Sequence, residues 1–457
     1  MIRTFLAKRI GVPIAEKIRG WPVSHLLSEL EESQWLTPQQ IREVQDRKLA
    51  ALVDHAYSTV PFYRQMFDKR GLKPENVRSV DDLAKLPIVT KEVIKDNMDQ
   101  IVSDRFDRSE LVLLGSSGST GEPFMLYISD EEKALKWAGL LRFWKWAGFE
   151  LGDRYVNVTG FPHGAFKGKG LWRFLEQSFS GMLALNALEL VEGDADQYAR
   201  RIAAFRPKML RGYSSSLHYL AQIFRNVGAK LSVGCACTTG ETLFPFQREL
   251  MESCFGCKVY DGYGGEAMEV AGQCGFGNTY HVNAESIIVE IVDADGNRCQ
   301  PNQAGQVVLT DLNHYSMPFI RYNIQDVAAA SDRRCECGRG LPVIEDISGR
   351  LTDVGVTPSG KSLIVHFFTG LFENYAAEVE AFQAVQETAD HLVLTIVPGK
   401  GLDQVEDQIL RRTQDYVGQD VHVEIRRQDS IALGPGGKRR LFISRSGVKA
   451  AGYQTHG

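Results

Sequence analysis

The chain has 457 residues, a formal net charge of −5, 44% hydrophobic and 24% charged residues. That length predicts two or three domains at ~100–200 residues each, in an ordinary globular protein. Mild acidity without a basic block argues against nucleic acid as the main partner, and no apolar run approaches the ~20 residues of a transmembrane segment. Lys8, Arg9, Glu16, Lys17 and Arg19 interrupt the N-terminal stretch, so it has no signal-peptide core. It reads as a packed leader or as a weakly basic amphipathic helix on a membrane surface. Eight unevenly spread cysteines favour reduced thiols in a cytoplasmic protein, some of them metal ligands, over a disulfide scaffold.

Residues 24–75 read as helical, with Thr37 as N-cap and Pro38 at the first helical position. Thr90 is the expected cap of a helix from Lys91. Apolar Leu111–Leu114 and Phe124–Ile128 read as strands on either side of Gly115-Ser116-Ser117-Gly118-Ser119-Thr120-Gly121. Such a loop suits a phosphate grip, because glycines let N–H groups turn toward an anion and hydroxyls add donors. Its plainer reading is a solvated hairpin turn. No Gly-Lys-Ser/Thr follows, so it is not a Walker loop.

Residues 130–147 form a periodic helix rich in tryptophan, and strands and helices then alternate. Tyr155–Val158, Met182–Leu190, Met209–Leu210, Cys235–Thr239 and Lys258–Tyr260 read as strands. Ala195–Phe205, Ser214–Val227 and Phe244–Phe255 read as helices. The alternation predicts an α/β fold of layered, largely parallel sheets, with ligands at the carboxyl ends of the strands. After residue 280, Ser286–Val292, Gly305–Thr310 and Val327–Ala330 suggest an antiparallel β-region. From about 350 a smaller β–α unit follows, with strands at His391–Val397 and Val421–Ile425 and helices at Leu402–Val417 and Asn374–Glu387.

The motifs gain meaning from their order. After the hydroxyl loop come Thr239-Gly240-Glu241, Tyr263-Gly264-Gly265-Glu266, Arg321–Asp326, Gly349-Arg350-Leu351-Thr352-Asp353 and a glycine-flanked Lys438. With Val60-Pro61-Phe62-Tyr63 and Leu86–Lys91, the set resembles the adenylate-forming (acyl-CoA synthetase-like) superfamily. The nearest branch is the phenylacetate–CoA ligase family with its capsular-polysaccharide-biosynthesis relatives. The resemblance implies a large N-terminal domain (1–349, β-rich subdomain about 275–349) and a small, mobile α+β C-terminal domain (350–457) on a hinge. It implies formation of an acyl-adenylate from ATP and a small-molecule carboxylic acid, release of pyrophosphate, and transfer to CoA or another acceptor.

Attack by a weak carboxylate nucleophile on a polyanionic phosphate requires N–H donors, Mg²⁺ and a lysine. The resemblance assigns Ser116, Ser117, Gly118, Ser119, Thr120 and Gly121 to the β- and γ-phosphates. Gly240, Glu241, Tyr263 and Gly264 line the nucleotide pocket, and Asp326 receives the ribose hydroxyls. Arg350 approaches ribose or phosphate, Glu266 meets Mg²⁺, and Lys438 bridges carboxylate and α-phosphate. Singly, Asp326 reads as a surface turn acid, Arg350 as half of a surface ion pair and Lys438 as a solvated charge. Three positions depart from the pattern. Glu266 stands three rather than four residues after Tyr263, with Glu269 nearby; Thr352 occupies the hinge acid position; and Glu122 replaces a lysine ending the phosphate loop.

Cys274, His281, Cys335 and Cys337 supply a Cys₃His set suited to a closed structural Zn²⁺ site, and some members of the resembled branch carry zinc there. A rival quartet takes Cys254 and Cys257 with Cys335 and Cys337. Cys235 and Cys237 alternate onto one face of a strand and read as buried thiols. The Trp-rich helix, Tyr155, His163 and Tyr213–Ser216 fall where the family shapes its acyl substrate, although aromatic helices are more often core. The capsule-type likeness leaves open transfer to a sugar amine or hydroxyl, and a nucleotide-binding non-catalytic member of a polysaccharide-assembly complex; a homodimer is a separate possibility.

Overall fold

The computed structural model describes residues 13, 16, 17, 20–116, 124–159, 181–190, 192–265, 268–277, 279–350, 354–375, 378–432 and 440–446. Helices α1 (Val23–Ser33), α2 (Pro38–Thr59) and α3 (Pro61–Lys69) open it. Thr37 caps α2 as expected: its hydroxyl accepts from Gln40 N–H at 3.3 Å, while Gln40 Oε1 accepts from Thr37 N–H at 2.9 Å. Thr90 likewise caps α4 (Lys91–Asp96), which α5 (Met98–Ile101) follows. Strands β1 (Val112–Ser116) and β2 (Phe124–Ile128) pair antiparallel, with Ser116 opposite Phe124. Helix α6 (Asp130–Trp146) comes next.

The expected alternation builds a parallel half-sheet from β3 (Tyr155–Thr159), β4 (Met182–Asn186), β5 (Met209–Tyr213), β6 (Cys235–Thr239) and β7 (Val259–Gly265). Helices α7 (Ala195–Phe205), α8 (Ser214–Asn226) and α9 (Pro245–Phe255) connect them. The second expected strand is shorter than Met182–Leu190, since Ala187–Glu189 is a 3₁₀ turn. An antiparallel half follows: β8 (Met268–Gln273), β9 (Tyr280–Val282), β10 (Ile287–Val292), β11 (Ala304–Asp311), β12 (Tyr322–Ala329) and β13 (Val343–Arg350). All eleven form one sheet, in the order β10-β11-β12-β13-β9-β8-β7-β6-β5-β3-β4.

This sheet curls. Between β7 and β12 lie four strand spacings, roughly 19 Å if flat at ~4.8 Å each. Yet the Tyr263 hydroxyl of β7 bonds Asp326 of β12 at 2.8 Å, and a Cβ on Gly265 would come within 2.8 Å of Ile324. One core accordingly joins Val270 and Ala271 to Leu309, Tyr322 and the helices α2 and α3.

Helix α6 is fixed to this curl by a buried ion pair. Arg142, fully buried, holds Glu285 through two nitrogens at 2.7 and 3.0 Å and donates to Asn283 Oδ1 and Leu30 O. Ser33 also donates to Glu285. Burial pushes the Glu285 carboxyl up, but Arg142 outweighs it and holds the group below its ordinary value. The pair's contribution is therefore complete above the ordinary carboxyl value and lost as the pH falls through the depressed one. Arg142→Met leaves Glu285 buried and unpaired; a loss of about 3–5 kcal/mol is expected, read from the urea midpoint. The double variant Arg142→Met/Glu285→Leu should recover most of it; no recovery would refute the pairing as the cause.

The last unit has its own core and a four-stranded sheet in the order β18-β17-β16-β19. Its elements are the pair β14 (Val354–Val356) and β15 (Ser362–Ile364), helix α10 (Val365–Glu373), β16 (Val379–Thr388), β17 (His391–Pro398), helix α11 (Leu402–Val417), β18 (His422–Arg427) and β19 (Phe442–Ser444). The helix expected over Asn374–Glu387 is here strand β16. Its Ala, Glu and Gln residues favour helix locally, but β16 pairs with β17 on one edge and β19 on the other. Pairing on both edges with burial of Phe382, Ala384 and Val385 overrides that propensity. Among the described residues no helix is long and apolar enough to cross a membrane.

Candidate active site

The carboxyl ends of β5, β6 and β7 lie side by side and deliver Tyr213–Ser216, Thr239–Glu241 and Tyr263–Gly265 to one edge. At the end of β6, Gly240 turns the chain at φ +75°, where a side chain would be strained. The Glu241 carboxylate accepts the Ser215 N–H at 2.8 Å, and its carbonyl accepts the Ser214 hydroxyl at 3.3 Å. Its charge is thus used at the α8 N-terminus, where the unpaired N–H groups favour an anion. The Gly240–Glu241 turn is held in place by that contact. Gly264 answers a steric demand: a Cβ there would meet Met268 O at 2.3 Å.

The curl brings β12 and β13 to the same edge. Asp326 is 8% exposed, bonded to Tyr263, and directly opposite Arg350 in the β12–β13 ladder. Gln325, at φ +67°, re-aims the strand just before Asp326, and its N–H is taken by Asn323 Oδ1 at 2.8 Å. The structure therefore joins three of the expected positions, Tyr263, Asp326 and Arg350, with Gly240 and Glu241 on the neighbouring strand end. Ser116 closes the β1–β2 ladder against Phe124. Ser117, Gly118, Ser119, Thr120, Gly121, Glu266 and Lys438 lie outside the described residues, as does His163, and of Arg350 only the backbone is described. Glu269 lines a small cavity with Glu132, Lys136 and Asp311, between α6 and the β10–β11 end of the sheet. Burial raises its carboxyl above the ordinary value despite Arg211 and Lys136 nearby.

Two features beside this edge are not legible in the sequence. Lys91 is 9% exposed, its ammonium 5.5 Å from the ring of Phe124, which opens the strand that follows the hydroxyl loop. It is carried there by Val89, which bonds the backbone of Arg321 and Asn323. The buried Arg321 guanidinium locks that segment through Leu86 O at 2.7 Å, Glu290 and Gly296 O. In sequence they are two separate stretches, Leu86–Lys91 and Arg321–Asp326, which prove to be one assembly.

Cys274, His281, Cys335 and Cys337 do converge, with ligand atoms all within 4.8 Å of one another. The Cys274–Cys335 sulfurs are 3.6 Å apart, and Cys337 Sγ is 3.2 Å from His281 Nε2. A tetrahedron with metal–sulfur bonds of 2.3 Å has edges of about 3.8 Å, so the donors suit one small cation. Burial, then the Arg339 guanidinium, push His281 down to about 4, leaving a neutral imidazole able to donate a lone pair. Burial raises the Cys337 thiol, but Arg339 lowers it on balance. Arg339 itself is sandwiched by Trp146 and Trp35, at 4.6 and 5.1 Å, and bonds Gln34. The rival quartet fails: Cys254 faces Ala221 O at 3.4 Å in the core beneath α8 and α9. Cys235 and Cys237 are buried, as expected. Trp144 packs on Phe149 and Tyr155 in the core, and Trp146 on the Cys/His knuckle.

Residues 356–445 match the CapK C-terminal domain family. The chain is 26% identical over 389 residues to a phenylacetate–coenzyme A ligase of Thermus thermophilus, covering 82% of each. It is 26% identical over 457 residues to the Escherichia coli phenylacetate–coenzyme A ligase, covering 93% of this chain and 99% of the relative. To the protein CapK of Staphylococcus aureus it is 23% identical, covering 88% and 89%. Among solved structures, a 2-hydroxyisobutyryl-CoA ligase in its post-adenylation state superposes with a TM-score of 0.74 at 21% identity, over 90% of both chains. The same ligase in the thioesterification state scores 0.57.

Proposed function

We propose that this chain, which has the fold of adenylate-forming ligases and is related in sequence to phenylacetate–coenzyme A ligases and CapK, uses ATP to activate a carboxylic acid. The acid becomes an acyl-adenylate, pyrophosphate leaves, and the acyl group passes to CoA. The observation that carries this reading is the Tyr263–Asp326 bond, which sets an acid for two ribose hydroxyls beside the Gly240–Glu241 turn and opposite Arg350. A held carboxylate costs no reorganisation when the nucleotide arrives. The Ser116–Gly121 loop then faces the leaving pyrophosphate, with Lys91 at its foot as the cation that the loop itself lacks. Glu266 is the acid for Mg²⁺, whose chemistry is to neutralise charge on the phosphates. Lys438 brings the remaining positive charge from the small domain, taken as 350–457 against a large domain of 1–349.

Cys274, His281, Cys335 and Cys337 are read as a structural Zn²⁺ site, closed by four protein donors and without a place for substrate. CapK among the relatives, and the CapK C-terminal match, support a second reading of the acceptor: an amine or hydroxyl of a polysaccharide precursor in place of CoA.

Acid-dependent exchange of labelled pyrophosphate into ATP, run across aryl, hydroxy and amino acids, tests the core claim. Exchange with at least one class is expected. Its absence across the panel, with ATP still bound, would leave only a nucleotide-binding protein.

A further inference from the structure

Thr242, Leu243 and Phe244 link the nucleotide turn to α9, which opens with Pro245 and Phe246. They belong by chain position to the large sheet, yet Phe244, 5% exposed, is buried in the core of the last unit with Leu363, Phe368, Phe372 and Phe382. Its backbone is fixed: Pro245 opens α9, and the Phe244 N–H is bound by Gln247 Oε1 at 3.2 Å. Phe246 stacks beside it at 6.1 Å and 12°, and His218 of α8 meets Phe246 edge-on at 5.3 Å. A second tie runs from Gln222 of α8, which donates to Glu380 O of β16 at 3.3 Å. Among the described residues, no helix or strand of 354–446 lies broadly along an element of the large sheet. Among the described residues the join is small, with Phe244 as its buried apolar anchor and Phe246 packed against the same core, a geometry for which relative motion is the default.

We propose that Phe244 is a positioning residue: the contact through which the nucleotide turn holds the small domain docked. The inference rests on the reading of Gly240–Glu241 as part of the nucleotide site. Phe244 is three residues from Glu241, and Glu241 is pinned to α8, so a shift at the turn is carried to the ring by a short, proline-stiffened link. Docking and nucleotide binding are then linked, each favouring the other by the same factor. Undocking exposes the ring of Phe244, an apolar surface large enough to bias the equilibrium strongly.

The test compares full-length wild type with Phe244→Ala, Phe244→Leu and Gln222→Ala. ATP with Mg²⁺ is titrated by calorimetry, and amide exchange is followed by mass spectrometry. Phe244→Ala is expected to weaken ATP at least fivefold. It should also speed exchange about tenfold at residues 245–249 and 365–373, with β5–β7 and β17–β18 unchanged. Phe244→Leu should restore most of both effects, and Gln222→Ala should move them less. Faster exchange throughout β16–β18 with unchanged ATP affinity would make Phe244 a core residue only and overturn the proposal. If Phe244→Ala does not fold, wild type decides: protection of 245–249 and 365–373 must rise together on adding ATP and Mg²⁺, and a rise in one alone overturns it. Should wild type bind no ATP, the nucleotide reading fails, while the exchange pattern of the variants still decides whether Phe244 holds the domains together.

Discussion

Lys438→Ala is expected to slow adenylate formation by about 10²–10³-fold, the usual loss when one preorganised donor to a charged transition state is removed. Transfer of the acyl group from a preformed adenylate should be nearly unchanged. The asymmetry follows from where charge develops. When the carboxylate attacks the α-phosphate, negative charge builds on oxygens that only a cation between the two groups can reach. In the second step the adenylate is already made, and AMP departs toward donors of the large domain. The measurement pairs hydroxamate trapping of the adenylate with single-turnover transfer from synthetic acyl-AMP. Equal loss in both would remove Lys438 from the chemistry and make it a folding or docking residue. The change is also expected to leave amide protection around Phe244 intact, which separates the lysine's charge from the contact that docks its domain.

What could be read in advance follows from how locally each feature is encoded. Cys235–Thr239 and Phe124–Ile128 are β-prone runs with clear punctuation, and each is a strand with the expected bounds. Thr37-Pro38 encodes its helix start within four residues. The Cys/His quartet was legible because ligand type is itself a strong signal, even across 61 residues. Strand β16 was not, since AFQAVQET has helix-forming composition and becomes a strand only by pairing on both edges, with the next strand β17 and with β19 far onward in the chain. The Tyr263–Asp326 bond is longer-range still. It depends on a sheet curling through β8, β9 and β13, which no spacing of motifs expresses. Phe244 is the same case. In sequence it opens a helix with Pro245, and the aromatic residues of the small unit that bury it, Phe368, Phe372 and Phe382, stand more than a hundred residues onward.

Removing the metal expected at Cys274, His281, Cys335 and Cys337 should act on stability and on the nucleotide site together. The ligands sit just after β8, on β9 and on the β12–β13 connection, so the clip closes a 61-residue loop between Cys274 and Cys335. Treated as a cross-link of the unfolded chain, closure of that length contributes about 4 kcal/mol. For a chain of this size the loss is expected to lower the thermal midpoint by about 4 °C. The connection that carries Cys335 and Cys337 joins the strand of Asp326 to the strand of Arg350. Beneath it, Tyr280, next to His281, donates to buried Asp261 at 2.6 Å, two residues before Tyr263. Loosening the knuckle therefore loosens both supports of the Tyr263–Asp326 bond. Cys335→Ser protein is expected to hold well under half an equivalent of zinc against about one in wild type, and to bind ATP several-fold more weakly. Zinc-free wild type with an unchanged midpoint would show that Arg339, stacked between Trp35 and Trp146, holds the connection without a metal.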